Sequence, residues 1–264
     1  MRDFNYKKKF GQNFLKDNRI VERIVRESDV PSNTLVVEVG PGKGILTREI
    51  SKVAKNVLCY EIDEELEDSL IKLQHDINNV KVIFSDFLTR DIKNDLDNYE
   101  YENLYFISNV PYYITTSILM KIMNSENTFN KITMMIQKEV GDRFSAVPGS
   151  KAYSSITVFL NYYYNIKKLF NVSRNEFIPV PNVDSVVVSL SLKDKREFLK
   201  NESHFFELVR ESFKFKRKTI RNNLKKYDLN IVGNVLEEFG FSLNSRAEQL
   251  PLGVFVKISN ELNK

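Results

Sequence analysis

Three glycines, Gly40, Gly42 and Gly44, directly follow the apolar run "TLVVEV" and precede "ILTREISKVA", which has helical spacing. Glycine permits a tight turn and lets a ligand approach the backbone closely. The next apolar run ends in an acid, Glu61, 21 residues after Gly40. A carboxylate at that spacing can accept both hydroxyls of a ribose, although spacing alone also fits a surface acid. Asp86, in "SDF" at the end of a third run, suits an adenine amino group or else caps a turn. The loop reads G-x-G-x-G, with Lys43 inside it and Glu38 two residues ahead of Gly40, where dinucleotide sites read G-x-G-x-x-G. Two nucleoside cofactors compete for this layout. One is a dinucleotide with its pyrophosphate on the helix N-terminus. The other is S-adenosylmethionine, which lacks phosphate and carries a charged amino-acid end and a sulfonium.

A second candidate site lies in "FISNVPYYITTSI", residues 106–118. An apolar strand runs out into Asn109, Val110, Pro111 and Tyr112, and a proline does not belong in the pairing register of a central strand. A rigid, aromatic loop at a strand end is where a site is built.

The elements that must position these residues follow from periodicity. Strands are expected at 34–39, 56–63, 80–87, 104–109 and 131–137, with helices at 45–54, 64–74 and 115–123 between them. Short apolar strands alternating with helices imply a parallel sheet covered on both faces. The runs 162–172 and 183–192, joined by a proline-rich loop, read as an antiparallel pair at the sheet edge. After about Leu192 the pattern becomes helical, including one helical reading across "HFFELVRESFKFKRKTIRNNLKK". The expected fold is α/β, a Rossmann-like sheet over residues 1–192 with a small helical domain over 193–264.

Composition narrows the classes. A hydrophobic content of 42% supports a real core. Nothing approaches the ~18 consecutive apolar residues of a membrane-spanning helix. The start, "MRDFNYKKKFGQNF", has no apolar h-region of a secretory signal. A single cysteine, Cys59, forms no internal disulfide or cysteine zinc site, and two distant histidines argue against a metal centre. The expected setting is reducing and cytoplasmic. Residues 1–192 carry 24 basic and 25 acidic side chains, a net of −1, whereas residues 193–264 carry 15 and 10, a net of +5. Seven basic residues crowd into 214–226, which fits a polyanionic partner or a solvated helix face.

Nine stretches together resemble the ribosomal small-subunit RNA adenine dimethyltransferases: "FGQNFL", "EVGPGKGILT", "YEID", "SDF", "NVPYYITT", "QKEVGDRFSAVPGSKAYSSITVFLNYY", "FIPVPNVDS", "RKTIRNNL" and "RAEQL". The resemblance spans almost the whole chain. Val110 and Tyr113 stand where the family usually has Leu or Ile and a second Asn. The resemblance implies a class I methyltransferase fold. It also implies transfer of methyl groups from S-adenosylmethionine to N6 of two adjacent adenosines near the 3′ end of 16S rRNA, in the immature small subunit. Cofactor contacts carry over to Asn13, Leu15, Gly40, Glu61, Asp86 and Asn109, with Gly42, Ile62 and Phe87 beside them. The target adenine would sit by Asn109, Val110, Pro111, Tyr112 and Phe177. The chain is expected to act as a monomer, without metal or membrane.

This chemistry accounts for the loop. The lone pair of an exocyclic adenine amine is delocalised into the ring, so the nitrogen is a poor nucleophile. Acceptors for both amine protons, the Asn109 amide oxygen and the Val110 carbonyl, draw it toward sp³. Tyr112 and Phe177 would stack on the two faces of the purine, unless they are ordinary core aromatics. Lys214, Lys216, Arg217, Lys218 and Arg221 are the expected phosphate contacts. Three rival readings are a DNA adenine methyltransferase, a methyltransferase of large-subunit rRNA, and an assembly or transcription factor that keeps the fold without the reaction. The first usually reads Asp-Pro-Pro-Tyr in this loop, and an intact Gly40, Glu61, Asp86 and Asn109 argue against the last.

Overall fold

The computed structural model describes residues 14–263. In chain order the strands are β1 (Phe14–Leu15), β2 (Thr34–Val39), β3 (Asn56–Glu61), β4 (Val80–Phe84), β5 (Asn103–Asn109), β6 (Lys131–Gln137), β7 (Tyr164–Val172), β8 (Phe177–Ile178) and β9 (Ser185–Leu192). Seven form one sheet in the order β4-β3-β2-β5-β6-β9-β7, and β1 pairs antiparallel with β8. β2 is parallel to β3 and β5, and β3–β4 and β5–β6 are parallel too. β9 runs antiparallel to β6, from Lys131 opposite Ser191 to Gln137 opposite Ser185. All six residues of β2 are buried, as a strand covered on both faces requires. Val36, Cys59 and Ile107 of the strands share one core with Val21 and Ile24 of helix Asn18–Ser28 and Ile50 of helix Ile45–Ser51. Among the described residues no helix is long and apolar enough to cross a membrane.

The order has a functional consequence. From β2 the chain builds outward through β3 to β4, then returns to the other side of β2 for β5 and β6. β2 and β5 therefore flank a topological switch point, and ligands of open α/β sheets bind outside the carboxyl ends of the strands there.

Several elements differ from their sequence reading, each for a local reason. β3 stops at Glu61 because that side chain takes up the N–H groups of Ile62 and Asp63. β4 stops at Phe84, and Asp86 then caps a short 3-10 turn by accepting from the Leu88 N–H. The helix expected across 204–226 ends at Phe213, a turn follows, and a short helix spans Ile220–Asn223. The Asn223 side chain binds the backbone of Ser212 and Phe215 and so holds that turn open.

The chain divides into two compact units. One contains the described residues up to Gly141 together with Lys167–Ser191, and the other contains Asp142–Ile166 and the chain from Leu192 onward. The stretch 142–166, read above as part of the first domain, thus groups with the helical part. Aromatic packing is the reason. Phe159 meets Phe206 at 4.8 Å between ring centroids, and Tyr162 meets Phe205 at 5.3 Å.

Candidate active site

A cavity of about 220 Å³ opens at the switch point. One wall is the glycine loop. Gly40 and Gly44 have φ of 71° and 73°, a region that favours glycine, and a Cβ on Gly44 would lie 2.6 Å from Leu73 Cδ2. The Gly40 N–H donates to the Tyr60 carbonyl at 2.8 Å, tying the loop to the end of β3. The facing wall is the loop after β5. The Ser108 hydroxyl donates to the Val39 carbonyl at 2.6 Å, which pins the ends of β5 and β2 together. A Cβ on Gly40 would sit 3.7 Å from Pro111 Cδ, so the two loops lie side by side.

Two buried carboxylates face this space. Glu61 Oε2 accepts from the Gly42 N–H at 3.1 Å, and Oε1 accepts from the Ile62 and Asp63 N–H groups, both at 2.9 Å. Burial raises its pKa, and these three N–H bonds oppose the rise. A carboxylate offers about four acceptor positions. Glu61 therefore has about one left for a ligand, not the pair expected for two ribose hydroxyls. Glu38 is 1% exposed, and its Oε2 accepts from the Thr47 hydroxyl at 2.7 Å and the Cys59 thiol at 3.6 Å. Burial pushes its pKa up to about 7, against those two hydrogen bonds, with the Glu61 charge adding to the rise.

The Glu38 shift predicts a pH-dependent stability. Between the ordinary carboxylate range and about pH 7 the folded chain holds a proton that the unfolded chain has released. Stability from this group is therefore present at low pH and lost as pH rises through that window, by up to about 3 kcal/mol. Glu38→Gln keeps an acceptor for Thr47 and removes the charge. Its urea midpoint should exceed that of the native chain by clearly more at pH 8.5 than at pH 5. An equal shift at both pH values would show that Glu38 does not titrate in this range.

Asn109 ends β5 opposite Met135 and lines the cavity with Val110, Pro111 and Tyr112. Pro111, at φ −55°, leads into the 3-10 turn Tyr112–Ile114, and its carbonyl accepts from the Ile114 N–H at 3.2 Å. Proline removes a donor and fixes φ, so the loop is stiff. The half-buried Tyr112 pairs its hydroxyl with Ser185 Oγ at 2.6 Å, which reaches it from the start of β9. Asp86 Oδ1 accepts from the Leu88 N–H at 2.9 Å while the residue also lines the cavity, so the capping and the site readings of Asp86 are compatible. Two apolar side chains on the same lining are exposed, Ile62 at 46% and Tyr113 at 60%. They supply flat and aliphatic surface for a base. Leu15, Gly40, Gly42 and Phe87 line the cavity as well. Phe87 is largely committed to packing, with its ring edge-on to Tyr60 at 5.1 Å.

Some expected site residues are not gathered here. Phe177 is fully buried in β8 opposite Leu15, belongs to the main apolar core, and does not line the cavity. Its ring is packed among core side chains, where the expectation was a ring covering one face of an adenine. Asn13 lies outside the described residues. The basic residues belong to the second unit. There Lys214 is 3.3 Å from Glu211, Lys216 Nζ donates to the Lys151 carbonyl at 2.9 Å, and Arg217, Lys218 and Arg221 have no acidic partner among the described residues. The sequence reading noted Glu38 without giving it a role. A lone acid inside a buried valine-rich strand was the available signal. Ser185 ends the quoted stretch "FIPVPNVDS" but carries no role in the sequence reading.

The donor set discriminates between the two cofactors. An acidic pocket disfavours a dianionic pyrophosphate, and the Gly42 N–H that would cradle it is already given to Glu61. The same pocket favours a ligand that is cationic and carries a ribose. A parallel sheet with an antiparallel edge, a glycine loop at its switch point and an acidic pocket define a methyltransferase-type α/β domain. The chain belongs to the ribosomal RNA adenine dimethylase family, whose model matches residues 3–264. It is 37% identical to ribosomal RNA small subunit methyltransferase A of Macrococcus caseolyticus, over 99% of this chain and 91% of the relative. It is 38% identical to the protein of the same name from Staphylococcus aureus strain JH9, with the same coverages. The fold is similar to a dimethyladenosine transferase from Plasmodium falciparum, with a TM-score of 0.79 and 27% identity over 95% of this chain and 97% of the other. It is also similar to the 23S rRNA methyltransferase ErmE, with a TM-score of 0.74 and 26% identity over 95% of this chain and all of the other.

Proposed function

We propose that this chain transfers methyl groups from S-adenosylmethionine to N6 of two adjacent adenosines near the 3′ end of 16S rRNA, acting on the immature small subunit. The observation that carries this reading is the packing of the Asn109–Tyr112 loop against the glycine loop at the mouth of one acidic cavity. It puts acceptors for an amine beside a pocket suited to a cationic nucleoside. A protein named as a 23S rRNA methyltransferase shares the fold at a TM-score of 0.74, so the fold does not select the RNA. The full-length identity to small-subunit methyltransferases favours the small subunit.

When bound, the cofactor supplies an electrophilic methyl group on a positive sulfur. The chain's own residues do the rest by positioning. Glu61 and Asp86 bind the ribose and adenine of the cofactor, with Leu15, Gly40, Gly42, Ile62 and Phe87 around them. The Asn109 amide oxygen and the Val110 carbonyl accept the protons of the target amine and free its lone pair. Tyr112 supports one face of the target base, its hydroxyl anchored on Ser185. No strong base is needed, because the methylated amine is acidic and water takes the proton. A second transfer at the same nitrogen requires that the pocket also admit an amine with one N–H left.

Tritium transfer from labelled cofactor tests the reading. Unmethylated small subunits should take up label, whereas 23S rRNA and DNA should not. Uptake confined to 23S rRNA, or none at all, would reject it. A second test concerns Glu61, which holds three loop N–H groups as well as a ribose hydroxyl. Glu61→Ala should weaken S-adenosylmethionine and S-adenosylhomocysteine together, by roughly ten- to hundredfold, since a bond to a charged group is worth about 1.5–3 kcal/mol. Unchanged calorimetric affinity for both ligands would remove Glu61 from the site.

A further inference from the structure

Phe215 is 57% exposed and stands between Lys214 and the run Lys216, Arg217 and Lys218. Its neighbour Phe213 packs inward, with its ring 6.0 Å from Tyr153 and 5.8 Å from Phe255. The ring is open to solvent, and the backbone beneath it is held firmly. The Phe215 N–H donates to Asn223 Oδ1 at 3.2 Å. Asn223 Nδ2 donates to the Ser212 and Phe215 carbonyls at 2.7 and 3.3 Å. The Lys218 N–H donates to the same Phe215 carbonyl at 2.8 Å. Asn223 is 6% exposed, so a buried amide is committed entirely to fixing this turn. Next in the chain, Arg217 and Lys218 have no acidic partner among the described residues.

A rigid turn that presents a bare aromatic ring beside unpaired cations is the chemistry that recognises an unpaired base together with its phosphates. A protein partner fits less well, since charged residues are depleted at the cores of protein interfaces and no acid interrupts residues 214–226. We propose that Phe215 stacks on an unpaired base of the RNA while Arg217 and Lys218 hold the adjacent phosphates, an inference that rests on the reading of this chain as an rRNA methyltransferase.

The test measures the dissociation constant of the full chain for unmethylated small ribosomal subunits across a salt series. Phe215→Ala should weaken binding about tenfold or more, the scale of one lost base stack, and leave the slope of log K against log salt unchanged. Phe215→Leu, which keeps apolar bulk without a π face, should lose nearly as much, and Phe215→Tyr should bind as the native chain does. Arg217→Ala should instead flatten the slope by roughly 0.7–0.9. Binding within twofold for Phe215→Ala, or a changed slope, would overturn the stacking role. So would a loss seen on subunits but absent on protein-free 16S rRNA, which would place the ring on a ribosomal protein. Failure of the native chain to bind subunits would overturn the functional reading itself.

Discussion

Asn109→Ala should lower the single-turnover methylation rate of pre-bound small subunits by roughly 10²-fold or more, and saturating cofactor should not restore it. Asn109 ends β5 at the switch point, on a loop stiffened by Pro111 and packed against the glycine loop. An acceptor there strengthens its bond to the amine as the nitrogen becomes tetrahedral. An interaction gained in the transition state appears in kcat rather than in binding. Asn109→Asp should be less damaging than Ala, because a carboxylate still accepts a hydrogen bond and faces a positive sulfur. It should, however, bind S-adenosylhomocysteine more weakly than the sulfonium form, since the product has lost that charge. Full rescue of Asn109→Ala by cofactor would reduce Asn109 to a binding residue and leave the Val110 carbonyl as the acceptor in this loop.

Phe177→Ala should cost about 3–5 kcal/mol of stability, the usual range for removing a fully buried phenyl ring. The ring is 0% exposed and shares a core with Val187 of β9 and Val172 of β7. Phe177→Leu separates the two roles that an aromatic here could play. If Phe177 is core alone, the leucine variant loses part of that stability but methylates at the native rate per folded molecule. If the ring instead stacks on the target adenine, the rate falls while the urea midpoint hardly moves. The structure favours the first outcome, because among the described residues the cavity is lined without Phe177.

Much of the first unit was legible in the chain. The expected spans for β2, β6 and the helix Thr115–Met123 match the observed bounds. The glycine loop, Glu61 and Asp86 emerged from spacing because they belong to consecutive strand–loop units, where local pattern determines position. The Asn109–Tyr112 loop was legible because Pro111 cannot continue a central strand. Strand ends were less legible, since Glu61 and Asp86 stop β3 and β4 with their own side chains.

What the sequence determined by itself is the order of strands and helices, the loop types and the chemical groups at the strand ends. Those are set within a few residues, by backbone sterics, periodicity and side-chain type. The tertiary structure decided the rest. It buried Phe177 while leaving Phe215 in solvent, because the apolar area of a phenyl ring is the same whether core or a base will cover it. It gave Tyr112 a partner 73 positions away in Ser185, and moved 142–166 to the helical unit through rings at 159 and 162. It turned Glu38 from a lone acid in a valine run into a buried group poised near neutrality, because desolvation depends on what closes over a side chain. Each outcome depends on which surfaces meet across long stretches of chain, and residue type alone does not encode that meeting.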